Sequence, residues 1–470
     1  MDLVNLMNDN QKCLMISNSC GGGHVQAADK LNKLIAKRNQ LNGTDQRITT
    51  VTKDILKDVL GDWLGGYLVD IWNQNQKKED IDGLNRPLTY HYFGDLAMAL
   101  PTFVKTLYWL RKHDVETVLN LQPVANPAIV AAVRVTNFVN RVFRLGKPPI
   151  KVSVVMTELP GPRTENFYNA VKRMSANDRK VCTLITTNSP LLDYKGQTEE
   201  EFWKRHTGMS LARGEIKYDE APIRSTFIEQ QAKNERGEKI NQLQVKASEE
   251  ELTLIKKSTG EDKLTTKETE QGSVIEFDLK ENEKVFALML GSQTSIQSTL
   301  DYVKNTIEWA KKSDSKEPIR FFAFCGKHVP GSNSLMKQVA DLVEAERQKA
   351  DYPQNLAVVP LAFQSDQQIA PMMARANATI TRSGGITAME LNAVAQGNVF
   401  IHLIEDAKDK RKGLSLEQIV EQGRGMPYWE GGNYHYLKDR KGAKLITPRA
   451  AEDIFNQAFA TSTNQSAAAA

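Results

Sequence analysis

Short apolar, β-rich runs alternate with helical patterns twice along this chain, and that rhythm constrains most what it can fold into. In the first half the strand candidates are 13–17 (CLMIS), 48–52 (ITTVT), 115–121 (VETVLNL), 150–157 (IKVSVVMT) and 182–187 (CTLITT), with helical patterns between them, as at 24–38 and 127–142. Beyond residue 284 the rhythm restarts at 285–290 (VFALML), 319–325 (IRFFAFC), 356–359 (LAVV), 378–381 (ATIT) and 398–402 (NVFIH). Strands separated by helices pair through crossovers, which gives parallel sheets with helices on their faces. Two such series predict two Rossmann-like α/β domains.

The segment between them, 228–284, is charged, and Phe277 is its only aromatic residue. It reads as a linker plus a surface insertion, with a hairpin in "LTLIKKSTGEDKLTT" turning near Gly260. The expected organisation is therefore a domain over 1–227, the insertion 228–284, a domain over 285–460, and a disordered tail, 461–470, ending in "SAAAA". A chain of 470 residues suits two or three domains. The formal net charge of +4 is small for this length and argues against a nucleic-acid partner. Four scattered cysteines without a C-x-x-C pair fit a reduced interior, and seven well-separated histidines show no zinc spacing. The start, "MDLVNLMNDNQK", has neither a basic n-region nor an apolar h-region, and no apolar run approaches the ~20 residues needed to cross a bilayer. A cytoplasmic protein is expected.

"NSCGGGHVQAADKL" (18–31) places Gly21, Gly22, Gly23 and His24 between a buried strand and a helix. Glycine admits close backbone approach by a ligand, and a helix N-terminus favours negative charge. The turn is not a P-loop, since no Lys-Ser/Thr pair follows, nor the dinucleotide fingerprint, since Gln26 stands where glycine is needed. A plain tight turn with His24 as a capping residue is the other reading. A second such turn runs from 285–290 into Gly291, Ser292 and Gln293. A third, "ITRSGGITAMEL", holds Arg382, Ser383, Gly384 and Gly385 before a helix carrying Glu390. Two helix N-termini in one half could converge on one diphosphate, with Glu390 accepting hydrogen bonds from a ribose.

With these turns go further pieces in a fixed order: "VVMTELPG", "APIRSTF" at 221–227, "LGSQT", "LAFQSD", "RSGGITAMEL" and "YWEGGNYHYL". Taken together the chain resembles the GT-B glycosyltransferases, in particular the group containing the bacterial N-acetylglucosaminyltransferase that makes lipid II and the monogalactosyldiacylglycerol synthases. The resemblance implies two Rossmann-like domains facing a cleft, the first for the acceptor and the second for a nucleotide-sugar. It implies an inverting transfer, with no essential metal, from a donor that is UDP-linked to a hydroxyl of a lipid acceptor. The nucleotide-sugar is a co-substrate, and no other cofactor is implied.

The resemblance also implies roles. Gly21–Gly23 form the acceptor loop, and His24 and Glu158 are the catalytic candidates, with His24 as general base. Arg224 reaches the diphosphate. Gly291, Ser292 and Gln293, with Arg382, Ser383, Gly384 and Gly385, bind phosphates. Phe363 and Gln364 edge the nucleobase, and Glu390 holds the ribose. Glu430, Gly432 and Asn433 meet the sugar. The other reading of Arg224 is a solvated interdomain residue, and of Glu390 an acid in the first turns stabilising its helix. The chain departs from the group at Glu430, where glutamine is usual, at Leu290 before Gly291, and in the insertion.

Asp80-Ile81-Asp82 is a D-x-D, as metal-dependent glycosyltransferases use, but it lies in a polar run and reads as chance. The stretches 60–72 (LGDWLGGYLVDIW) and 94–110 (GDLAMALPTFVKTLYWL), with Lys105, Arg111 and Lys112, are buried helix faces, a peripheral membrane contact, or a cradle for a peptide or protein acceptor. Three other functions stay open: a transferase that modifies a protein, including an exported bacterial effector; a nucleotide-sugar epimerase; and a UDP-binding module without catalysis.

Overall fold

The computed structural model describes residues 11–20, 22–42, 47–161, 163–219, 223–261, 264–269, 272–406, 409 and 412–468; for 42, 88, 91 and 460–468 it describes the backbone alone. The chain forms two compact units, and neither is contiguous in sequence. The first takes residues up to 75, 80–223 and 427–433; the second takes 76–79, 224–426 and 434 onward.

The first unit is built on β1 (Lys12–Ser17), β2 (Thr49–Asp54), β3 (Thr117–Asn120), β4 (Lys151–Val155), β5 (Cys182–Thr186) and β6 (Ile216–Tyr218). They form one parallel sheet in the order β2-β1-β3-β4-β5-β6. Leu14 and Ile16 face one apolar cluster, Cys13 and Met15 another, so β1 is buried on both faces. That is why it reads as an unbroken apolar run and not an alternation.

The second unit begins with β7 (Gln242–Ala247), β8 (Thr265–Thr269) and β9 (Gly272–Asp278), a small antiparallel sheet in the order β7-β9-β8. There follow β10 (Lys284–Met289), β11 (Ile319–Phe324), β12 (Leu356–Leu361), β13 (Ala378–Thr381), β14 (Asn398–His402) and β15 (Lys444–Ile446). These six are parallel in the order β12-β11-β10-β13-β14-β15. The order runs outward one way from β10 and then restarts on its other side at β13, the doubly wound arrangement. The expected pair of Rossmann-like α/β units is present.

The segment 228–284 differs from its expected form. "LTLIKKST" lies in the helix Glu249–Thr259, and Gly260 is its left-handed C-cap at φ 68°, not a hairpin turn. Ser248 caps the other end and exchanges hydrogen bonds with Glu251. The hairpin lies further on, between β8 and β9. Leu243, Val245, Ile255, Ile275 and Phe277 are buried. Charged residues dominate the composition, and they mask the short alternation of β7 and β9. The last helix, Ala451–Ala468, takes in much of the stretch expected to be a tail.

Candidate functional site

In the first unit the order reverses at β1: β2 lies on one side and β3 on the other. Ligands of open α/β sheets bind beyond the carboxyl ends of the strands at such a switch point. His24 stands there, in the first turn of the helix Gly23–Asn42 that follows β1. Its Nδ1 lies 2.7 Å from the carbonyl of Leu121, just past β3, and 3.1 Å from Oγ1 of Thr157, just past β4. A carbonyl only accepts, so Nδ1 carries the proton and Nε2 keeps its lone pair. Desolvation lowers the imidazole below its ordinary value, against hydrogen bonding to Leu121 and the field of Asp54. The ring is therefore neutral at pH 7, a base with a fixed tautomer. Gly22 accepts from the amide of Gln26, and a side chain at Gly23 would meet open space. Gly21 lies outside the described residues.

In the second unit the switch point falls between β10 and β13. The turn after β10 holds Gly291 at φ 86°, with the half-buried Ser292 and Gln293, and opens the helix Ile296–Lys312, whose cap Ser295 accepts from the amide of Ser298. The turn after β13 holds Arg382, Ser383 and Gly384, and opens the helix Gly385–Val394. Thr381 donates from Oγ1 to the carbonyl of Met289 at 2.8 Å, tying the two strand ends together. Side chains at Gly291 or Gly384 would meet nothing within 4 Å. Two helix N-termini thus start from neighbouring strands beside open space, where amides and dipoles favour an anion. The Ser383 side chain is fully buried and reaches Sδ of Met426 at 3.7 Å, so the backbone is what this turn offers.

Other expected site residues are engaged with one another. Arg224 and Glu390 form a two-pronged ion pair, Nε–Oε1 and Nη2–Oε2 both 2.7 Å, with Glu390 buried and the guanidinium 4.7 Å from the Phe227 ring centre. The pair engages two of the five guanidinium N–H groups of Arg224. Gln364 clamps β7, accepting from the amide of Lys246 and donating to its carbonyl, both at 2.8 Å. Phe363 beside it is exposed. Asn433 donates to Glu158 at 3.0 Å within the first unit. Glu430 is buried there too, and Gly432 faces Leu191.

One constellation escaped the sequence reading. His402, the last residue of β14, faces Glu79 through Nε2 (2.9 Å) and Tyr302 through Nδ1 (3.1 Å). Glu79 also accepts from Ser298 at 2.7 Å. Burial disfavours the Glu79 carboxylate, but hydrogen bonds from His402 and Ser298 outweigh it, and its pKa falls below the ordinary value. No local motif announces this network, because 323 positions separate Glu79 from His402, and 219 separate it from Ser298. Asp80 accepts from the amide of Gly83 at 2.9 Å and so caps the helix Ile81–Thr89. Among the described residues no cluster of three or more His, Cys, Asp or Glu is placed to hold a metal.

The architecture up to this point defines a two-unit α/β protein with glycine turns at its strand ends. No family model and no curated protein matches the sequence. Among solved structures the chain is similar to MurG of Acinetobacter baumannii, at 12% identity and TM-score 0.42, covering 95% of this chain and 89% of that one. It is similar to Os79 from O. sativa in complex with UDP, at 9% identity and TM-score 0.46, covering 95% and 91%. It is also similar to a UDP-GlcNAc 2-epimerase from Neisseria meningitidis, at 12% identity and TM-score 0.36, covering 96% and 100%.

Proposed function

We propose that this chain is a glycosyltransferase that moves a sugar from a nucleotide diphosphate, most simply UDP, to a hydroxyl acceptor with inversion. The observation that carries this reading is the pair of glycine turns at the ends of β10 and β13, each opening a helix beside open space. In the proposed reaction the acceptor oxygen forms a bond to the sugar C1 as the bond from C1 to the β-phosphate oxygen breaks. That bonding pair leaves with the nucleotide, and the acceptor proton passes to Nε2 of His24. Amide groups and helix dipoles of the second unit offset the charge that builds on the leaving diphosphate. The Arg224–Glu390 pair serves as an anchor for the helix Gly385–Val394, and Asn433 holds the Glu158 carboxylate.

A lipid acceptor at a membrane surface is supported by what the helices leave uncovered. Trp63 and Tyr67 on the helix Lys57–Lys78, and Phe93, Leu96, Leu100 and Val104 on the helix His91–Lys112, are exposed at helical spacing. No acidic residue occurs between Glu116 and Glu158, while Phe138, Phe143 and the cations Arg141 and Arg144 are exposed there. Apolar side chains interleaved with cations suit an anionic lipid surface. Among the described residues no helix is long and apolar enough to cross a membrane.

The test is to incubate the protein with a panel of nucleotide-sugars, with and without a lipid extract, and to follow nucleotide release and product mass. Sugar transfer that depends on the extract supports the proposal. Conversion of the donor without acceptor would make the protein an epimerase, and binding without conversion a nucleotide-binding module.

A further inference from the structure

The insertion grips two loops of the second unit, and one of them carries a cation that the reading above does not use. From the helix Glu249–Thr259, Oε1 of Glu250 accepts from the amide of Gly331 at 3.1 Å and lies 3.3 Å from Nε2 of His328. The His328 side chain is 1% exposed, and its Nδ1 meets Oγ of Ser334 at 2.7 Å. The loop after β11 is thus tied to that helix through the Gly331 amide. The loop after β12 is pinned by the clamp of Gln364 on Lys246.

Cys325 is buried, and Gly326 has φ 70°. A Cβ at Gly326 would stand 3.5 Å from the Ser292 carbonyl and 3.6 Å from Oγ1 of Thr294. The β11 loop therefore lies against the turn after β10. Between these fixed points Lys327 is exposed and makes no ion pair among the described residues. A cation beside a departing diphosphate adds a charge-assisted hydrogen bond to what amides and helix dipoles provide. Arg224 is already matched by Glu390.

We propose that Lys327, on a loop that Glu250 of the insertion holds in place, is the cation that meets the donor diphosphate. Its flexible stem lets the ammonium follow the phosphates as the bond to the sugar breaks. Glu250 is then a positioning residue, and the insertion is a brace for the donor site. The inference rests on the nucleotide-sugar reading.

Calorimetric titration of the full chain with UDP, UMP and uridine tests it. Lys327→Ala is expected to weaken UDP binding about tenfold, with Lys327→Arg retaining most of it and uridine affinity unchanged. Glu250→Ala is expected to reproduce part of the UDP loss, and Glu250→Gln, which keeps an acceptor for the Gly331 amide, to restore it. If the unaltered protein binds UDP and Lys327→Ala binds it equally well, the Lys327 assignment is overturned alone. An equal loss of uridine and UDP also overturns it, because the effect is then on the fold. If the unaltered protein binds none of the three, the nucleotide-sugar reading falls, and this inference with it.

Discussion

His24 shows how one side chain acquires a direction. The Leu121 carbonyl fixes the proton on Nδ1, and burial keeps the ring neutral. His24→Ala is expected to lower transfer about 10²–10⁴-fold while UDP affinity stays the same, as product formation and titration would register. Because the folded pKa lies below ~6.5, activity should fall only on the acid side of that value. Stability follows the same sign: as pH drops below ~6.5, the unfolded chain takes up a proton that the folded ring resists. This contribution is therefore lost toward acid and intact above pH 7. At the Arg224–Glu390 pair, Glu390→Ala leaves a guanidinium without its partner and is expected to cost roughly 3–5 kcal/mol in denaturant unfolding. Replacing both residues with methionine should recover most of that. The positions of His24 and both glycine turns were legible in the sequence, since each follows a strand and opens a helix. The engagement of Arg224 with Glu390, and of Gln364 with Lys246, was not, because 166 and 118 positions separate the partners.

Among the elements, long buried strands announced themselves and short or charged ones did not. β10 is buried at every position and reads as KVFALM, apolar after its first residue. β6 and β15 have three residues each, too few to show a period, and both sit at sheet edges. In the insertion, charge hid a core: Phe277 is buried, with its ring 5.5 Å from that of Phe322 and 4.9 Å from the Arg320 guanidinium. Phe277→Ala is expected to cost about 3–5 kcal/mol by denaturant midpoint, as a core position does and a surface loop does not. Ser248→Ala, which removes the cap of the helix Glu249–Thr259, should cost about 1 kcal/mol by the same measurement.

For the molecule as a whole, the apolar side chains left uncovered on the first unit are where the proposed lipid contact is tested. Vesicles containing phosphatidylglycerol are expected to sediment the protein, and Trp63→Glu together with Leu100→Glu to lower the bound fraction about tenfold. Raising salt to ~1 M, where screening acts within about 3 Å, should weaken the cationic share and leave the apolar share. Equal binding by the altered protein would remove the lipid surface from the account. The first unit also depends on a late piece of chain. Trp429, from 427–433, stacks on Trp72 at 6.0 Å and meets Phe167 edge-on at 6.4 Å. A nascent polypeptide therefore cannot finish its first unit until residues 427–433 have been made. A fragment cut after residue 223 should emerge with a greasy gap where an indole belongs, and should seek chaperones or clump.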